Sequence, residues 1–207
     1  MNSLTEEMQM FIEVGEFVSR ERESAKCKSG KNATQKTRDV SGAATENVIR
    51  SHLISKGLNI SRSRVYVAPS WIEIDMLSLK EGVDPIKSEF SPSEVKTIIE
   101  IKNNAVADQT TIIRKNFGKL QQIAKDAQFA VIVLSEREGY KHVIKEETLG
   151  YPVFTLLSRK VAAGRWMWSA AETLNVYSKI MLRGDWAGKR AMRETGKWMD
   201  LVAYLRR

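Results

Sequence analysis

The chain of 207 residues contains little cysteine, histidine or proline, and it has no long hydrophobic run. Its single cysteine, Cys27, excludes an intramolecular disulfide, and with only two histidines it supplies too few soft ligands for a structural zinc site. Any metal would therefore be held by oxygen. The longest strongly apolar stretch, residues 129–134, is as short as a strand, and the first residues are acidic. We therefore expect no membrane span, no secretory signal and a cytoplasmic protein.

Positive charge is concentrated towards the end of the chain. The formal charge is +8, and residues 159–207 contain eleven Lys and Arg against four acids, a net of +7. Clustered basic residues favour a polyanionic partner such as DNA, because each cation placed near a phosphate releases condensed counterions. A solvated helix face produces the same pattern, so composition alone leaves both interpretations open.

Hydrophobic periodicity predicts an α/β protein with a mixed central β-sheet flanked by helices, an N-terminal helix and a C-terminal helical extension. We expect an N-terminal helix and polar linker in residues 1–42, a core in 43–160, and a basic, Trp-rich helical extension in 161–207. The predicted helices cover residues 4–23, 43–56, 110–127, 140–147, 165–184 and 186–205. The predicted strands cover 64–68, 71–79, 95–102, 129–134 and 152–157, and the polar linker covers 24–41.

Charged residues alternate with isoleucines on two of the predicted strands. In Glu100-Ile101-Lys102 the alternation of a strand places Glu100 and Lys102 on one face and Ile101 on the other. Upstream, Glu73 and Asp75 alternate with isoleucine in the same way. If the two strands pair, Asp75 and Glu100 can meet.

This group of side chains has the chemistry that phosphodiester hydrolysis requires. Carboxylate oxygens hold Mg²⁺, a positive charge stabilises the developing negative charge, and a polar group orients the attacking water. A cross-strand ion pair on a solvated sheet face would place the same residue types together without catalysis. The spacing of the acids and the lysine along the predicted elements favours the catalytic interpretation.

These residues resemble the motif of the PD-(D/E)XK, or restriction-endonuclease-like, nucleases. Glu100-Ile101-Lys102 matches the (D/E)XK half, and Asp75 takes the place of the first acid. Glu46 resembles the acid that many members carry on the preceding helix. The similarity covers residues 43–158, where the predicted order of elements agrees with the αβββαβ core of the family. The proline of the motif is absent, because isoleucine precedes Asp75.

The resemblance implies a Mg²⁺-dependent DNA endonuclease of restriction, defence or mobile-element type, with Mn²⁺ as a substitute metal. By this resemblance Asp75, Glu100 and the backbone carbonyl of Ile101 would ligate the metal. Glu46 would assist directly or through water, and Lys102 would position the attacking water. Whether Lys102 is a general base or an electrostatic anchor stays open. An RNA-directed nuclease and a catalytically inactive nucleic-acid-binding module of the same fold are the alternatives.

Further candidate residues are predicted to bind DNA. The residues predicted to contact it are Arg114, Lys119 and Gln121 on the helix after the motif, and Arg190, Arg193 and Lys197 on one face of the last helix. Tryptophans of the extension could stack on bases, but Trp166 and Trp198 lie on apolar stripes, which favours packing. His52 and His142 are predicted to be surface or packing residues. Because one active site commonly needs a second copy to cut both strands, we also expect a homodimer.

Overall fold

The computed structural model describes residues 5–26, 33–104, 108–137, 144–159 and 192–207. Within these ranges the helices are α1 (Glu6–Lys26), α2 (Ala33–Ser55), α3 (Asp108–Ile123), α4 (Glu146–Leu149) and α5 (Lys197–Arg206), with a 3-10 helix at Pro92–Glu94. The strands are β1 (Tyr66–Val67), β2 (Met76–Leu79), β3 (Glu89–Phe90), β4 (Val95–Asn104), β5 (Gln128–Arg137), β6 (Val153–Arg159) and β7 (Met192–Glu194).

The central sheet is mixed and has the strand order β2-β4-β5-β6-β7. Strands β4, β5 and β6 are parallel to one another, whereas the edge strands β2 and β7 are antiparallel to their neighbours. This confirms the predicted α/β class with a mixed sheet. Strand β1 pairs with β3 in a separate two-stranded sheet. The first of the three predicted core strands therefore does not join the central sheet.

Helices cover both faces of the sheet. On one face, Ile99 and Ile101 of β4 belong to a hydrophobic cluster with residues of α1, α2 and α5. On the other face, Ile98 belongs to a second cluster with Ile113 and Phe117 of α3. The alternation along β4 thus divides the core into two layers, as the strand period requires. None of the helices in the described ranges is long and apolar enough to cross a membrane.

The first two helices are longer than the sequence predicts. Helix α2 begins at Ala33, so the predicted polar linker is wrong over residues 33–41, and residues 24–26 belong to α1. Polar composition indicated a loop, but such a local preference is weak and tertiary packing can override it, and Ser41 at the end of this stretch is buried. Helix α1 is part of the core, since Met10, Phe11 and Val14 are fully buried.

The described end of the chain is a strand followed by a helix. Strand β7 pairs with β6, and α5 begins at Lys197 after Gly196, whose φ of 72° lies in the left-handed region. Within the described residues, the predicted helix over residues 186–205 is therefore wrong over 192–196, because a glycine in this conformation interrupts helical geometry. The predicted helix over 165–184 and Trp166 lie outside the described residues. The division into segments 1–42, 43–160 and 161–207 stays a prediction.

Candidate active site

Pairing between β2 and β4 places the two predicted metal-binding acids beside each other. Strand β2 begins at Met76, whose partner in β4 is Ile99. Asp75 directly precedes Met76 and Glu100 directly follows Ile99, so the antiparallel register brings the two acids opposite each other. The prediction that Asp75 and Glu100 can meet is in this respect confirmed.

The segment around Asp75 is less regular than predicted. The predicted strand over residues 71–79 is shortened to β2, and the chain bends at Asp75. As a result Ile74 and Met76 enter different hydrophobic clusters, although strict alternation would place them on the same face. The bend turns the Asp75 side chain towards β4.

The backbone of β4 holds the Asp75 carboxylate. The Ile101 N–H donates a hydrogen bond of 2.7 Å to Asp75 Oδ2. Because the N–H and C=O of one strand residue point to the same edge of the strand, the Ile101 carbonyl also faces the edge where Asp75 lies. Pairing with β2 stops at Ile99, so this carbonyl lies beyond the β2 ladder. The Asp75 carboxylate and the Ile101 carbonyl therefore face the same edge of β4.

Lys102 lies between the two carboxylates. Its Nζ is 3.7 Å from Asp75 Oδ2 and donates a hydrogen bond to Glu100 Oε1. The side chains of Lys102, Asp75 and Glu100 are 20%, 19% and 21% exposed. Burial by itself lowers the pKa of Lys102, but Glu100 and Asp75 outweigh it and raise the pKa above its ordinary value. In this arrangement Lys102 is a charged ammonium group, which favours an anchor over a general base.

For the two carboxyl groups, burial outweighs the charge of Lys102 in setting the pKa. Burial raises the pKa of Asp75, and the cation of Lys102 opposes this shift only in part. Burial, followed by the charge of Asp75, likewise raises the pKa of Glu100. Both acids therefore bind protons more readily than free carboxyl groups, because burial, together with the neighbouring negative charge, outweighs the effect of Lys102.

Glu46 extends the acidic group from helix α2. It is 8% exposed, and its buried Oε2 has no hydrogen-bond partner among the described residues. Burial, followed by repulsion from Asp75, raises the pKa of Glu46 to about 7. A buried carboxylate oxygen without a partner is costly unless a proton or a cation satisfies it. Glu46 is therefore suited to assist a cation held by Asp75.

The raised pKa of Glu46 makes folding stability depend on pH. The folded pKa of about 7 exceeds the ordinary value of 4.5, so the proton stabilises the folded chain below pH 4.5 and this contribution is lost as the pH rises through 7. We expect Glu46→Gln to be more stable than the natural chain above pH 7, by on the order of 1–2 kcal/mol after solvent screening. The difference should disappear at low pH.

Urea unfolding at a series of pH values, without added metal, measures this effect. Glu147→Gln is a suitable control, because Glu147 is an exposed acid on α4. If Glu46→Gln keeps the same pH dependence as the natural chain, the proton is not bound at Glu46.

A buried polar network joins α2 to the end of β4. Asn103 Nδ2 donates to Ser41 Oγ at 2.6 Å, and Thr45 Oγ1 donates to Asn103 Oδ1. Ser135 Oγ of β5 donates to the Asn103 carbonyl at 3.3 Å. The network holds the turn of α2 that carries Glu46 against the strand that carries Lys102. Sequence reasoning missed it, although a polar Asn at the end of an apolar strand is a signal.

The donor set at this site consists of hard oxygen atoms. Among the residues that the structure describes, no group of three or more His, Cys, Asp or Glu side chains is placed to hold a metal. Asp75, Glu100 and the Ile101 carbonyl form a smaller set, and Mg²⁺ commonly uses one or two carboxylates and keeps several waters. The residues present fit such an ion. They do not fit zinc, which prefers nitrogen and sulfur ligands.

The predicted DNA contacts on α3 lie on the surface. Arg114, Lys119 and Gln121 are exposed. The Tyr151 hydroxyl donates to Gln121 Oε1 at 3.2 Å, so this side chain already has a protein partner. Arg114 and Lys119 are available as cations, and their contact with DNA stays a prediction.

The predicted DNA-binding face on the last helix does not form as expected. Arg193 belongs to β7 while Lys197 begins α5, so the two do not share one helical face. Lys197 is exposed and lies 3.4 Å from Asp200 in an ion pair within the helix. Arg190 lies outside the described residues.

Arg64 is a further charged residue beside the site that sequence reasoning missed. Its backbone N–H donates to the Asp75 carbonyl at 3.2 Å. Its φ of 59° lies in the left-handed region, which is uncommon for a residue other than glycine. The charge of Arg64 lowers the pKa of both Asp75 and Glu46, although burial outweighs it. No signal in the sequence distinguished it from other surface arginines.

Comparisons with known proteins yield structural similarity only. No protein-family model matches the chain, and no curated protein matches it. It is similar to the cAAA-bound form of NucC from P. aeruginosa ATCC27853, with 13% identity and a TM-score of 0.47 over 99% of this chain and 92% of that chain. The corresponding form from E. coli MS115-1 has 12% identity and a TM-score of 0.47 over 100% and 92%. Likeness at this level shows neither a shared activity nor a shared ligand.

Proposed function

We propose that the chain is a Mg²⁺-dependent DNA endonuclease of the PD-(D/E)XK type, with its centre at Asp75, Glu100 and Lys102. The observation that carries the proposal is the hydrogen bond from the Ile101 backbone to Asp75, which fixes this carboxylate against β4, where Lys102 forms ion pairs with both Asp75 and Glu100. Mn²⁺ is expected to replace Mg²⁺, since both are bound by oxygen ligands.

In this proposal the carboxylates hold the ion and Lys102 acts on the substrate. Asp75, Glu100 and the Ile101 carbonyl would bind Mg²⁺, and Glu46 would assist through water. The bound ion would supply charge to stabilise the phosphate oxygens and would acidify the attacking water. Lys102, which is cationic here, would orient that water and stabilise negative charge on the phosphate oxygens.

The substrate is proposed to be DNA that lies across the β2 edge of the sheet. The exposed cations Arg114 and Lys119 on α3 would neutralise phosphates, which fixes position without reading sequence. A homodimer would allow both strands of a duplex to be cut. We also propose that the enzyme acts in the cytoplasm.

Cleavage of supercoiled plasmid with Mg²⁺ or Mn²⁺ tests the proposal. Asp75→Asn keeps an oxygen that can accept the Ile101 N–H but removes the charge, so we expect cleavage to fall by at least about 10²-fold. Asp126→Asn makes the same change at an exposed acid after α3 and should cut like the natural chain. Isothermal titration should show a Mg²⁺ or Mn²⁺ site that Asp75→Asn lacks.

A non-catalytic binding module is the second candidate, and the direct ion pairing of Lys102 with both carboxylates favours it. In that case the cluster would be a closed structural unit that needs no metal. A natural chain that binds DNA, shows no metal site and cuts nothing with either ion would establish this alternative. RNA of the same sequence as the DNA substrate, tested in parallel, distinguishes an RNA-directed enzyme.

A further inference from the structure

An exposed aromatic pair lies next to the candidate active site. Trp71 is 88% exposed, more than any other large hydrophobic residue in the described ranges. Its ring packs edge-on against that of Tyr66, with centroids 6.5 Å apart and an interplanar angle of 62°. At this exposure most of the indole surface is accessible to a planar ligand. Isolated apolar side chains are common on surfaces, so position and surroundings must decide what Trp71 does.

Backbone hydrogen bonds connect this pair rigidly to Asp75. Val65 and Ile74 exchange both of their backbone hydrogen bonds, at 3.0 and 2.9 Å. The turn between them is closed by the Ser70 N–H, which donates to the Val67 carbonyl at 2.8 Å. Trp71 therefore stands on an ordered turn. It is four residues from Asp75, which an extended chain spans in at most about 13 Å.

The surroundings of Trp71 suit a nucleobase better than a phosphate. The exposed cation of Arg64 lies on the paired segment, on the side towards Asp75. Glu73, which is also exposed, lies between Trp71 and Asp75 and repels phosphate from that stretch. Proteins bind single-stranded nucleic acids with aromatic side chains bordered by cations, because every base has a face that can stack on an aromatic ring.

We propose that Trp71, braced by Tyr66, is a stacking platform for a nucleobase of the substrate strand a few nucleotides from the phosphate that is cut. This inference rests on the proposed nuclease function. Nucleotides of one strand rise about 3.4 Å each, so a distance of up to about 13 Å spans roughly two to four of them. A base inside a duplex hides its faces, so the platform takes an unpaired base or one that the ring displaces from its stack.

The first arm of the test measures binding of single-stranded DNA in EDTA by fluorescence anisotropy. Trp71→Ala is expected to weaken binding on the order of 5- to 100-fold, the range that loss of one base stack produces. Trp71→Phe keeps an aromatic face and should restore most of the affinity. Ile86→Ala removes another exposed apolar side chain and should bind like the natural chain. Thermal melting checks that each variant is folded.

The second arm maps cutting with Mg²⁺ on strands that carry one abasic residue at a series of positions. The natural chain should avoid phosphates at one fixed spacing from the abasic residue, because the platform finds no base there. Trp71→Ala should cut without this pattern. If Trp71 had only a structural role, its removal would not abolish a fixed spacing between the abasic residue and the uncut phosphates.

The outcomes separate the platform from the nuclease. If the natural chain cuts and Trp71→Ala binds and cuts identically, the platform is refuted and the nuclease stands. If the natural chain binds through Trp71 but never cuts, the nuclease fails, and Trp71 stacks on a base of bound DNA without a defined distance to a cut phosphate. If Trp71→Ala changes subunit association in sedimentation and leaves DNA affinity unchanged, the surface belongs to a second copy and the inference is overturned.

Discussion

Lys102→Ala is expected to lower the rate of Mg²⁺-dependent DNA cleavage by roughly 10²- to 10³-fold, the effect of removing one preorganised group that stabilises transition-state charge. Its ammonium group contacts Glu100 and lies 3.7 Å from Asp75, and so is held beside the two carboxylates that are proposed to bind the metal ion. Single-turnover cleavage with saturating enzyme measures the loss at the chemical step, independently of DNA binding.

Lys96→Ala is the matched control for this prediction. Lys96 precedes Lys102 by six residues on β4, with a β-bulge in the pairing to β2 in between, and its Nζ donates to the Arg206 carbonyl at 2.8 Å, away from the site. This variant should cut at the natural rate. Equal cleavage by Lys102→Ala and Lys96→Ala would show that Lys102 only neutralises its acidic neighbours and would remove it from the catalytic group.

Trp198→Ala is expected to lower the free energy of unfolding by about 3–5 kcal/mol, the usual cost of truncating a large buried aromatic residue to alanine. Trp198 is 1% exposed and packs edge-on against His52, with ring centroids 6.4 Å apart. Its removal would leave a cavity where α5 meets α1 and α2. Urea unfolding followed by circular dichroism gives the free energy for each variant.

Met199→Ala controls for changes in helix α5 itself. Met199 is the next residue and is exposed, so its truncation should change stability by no more than about 0.5 kcal/mol. If both variants are equally stable, α5 does not contribute to the core. The fold indicates the opposite, because Leu201, Val202 and Leu205 are buried in the same cluster.

The packing role predicted for Trp198 is confirmed, and of the two roles left open for His52, surface or packing, the structure shows packing. Trp198 lies on the buried stripe of α5 that helical spacing predicts. His52 packs against it and also contacts Glu6 and Glu13, at 3.1 and 3.0 Å. The sequence placed Trp198 on an apolar face and His52 in a helix without showing their partners, because α1 and α2 are distant from α5 along the chain. His142 lies outside the described residues.

The local sequence pattern was sufficient to predict those helices and strands whose own residues determine their structure. Alternation of charged residues with isoleucines predicted β4, a continuous apolar run predicted β5, which is buried on both faces, and helical spacing predicted α3. The local pattern did not predict strands that form only because a partner strand is available for pairing. Strand β7 forms because β6 offers an edge for pairing, and β1 pairs with β3 across a loop that the sequence leaves undefined.

By itself the sequence determined that Glu100 and Lys102 share one face of a strand, because the two-residue period of a strand admits no other arrangement. Only the tertiary structure decided that Asp75 bends towards the Ile101 N–H, that Glu46 is buried beside it, and that Trp71 is exposed on the adjoining turn. These features depend on strand register and helix packing between segments distant in the chain. Such contacts determine how deeply each acid is buried and which charged groups lie beside it. These two factors set the pKa values of the acids.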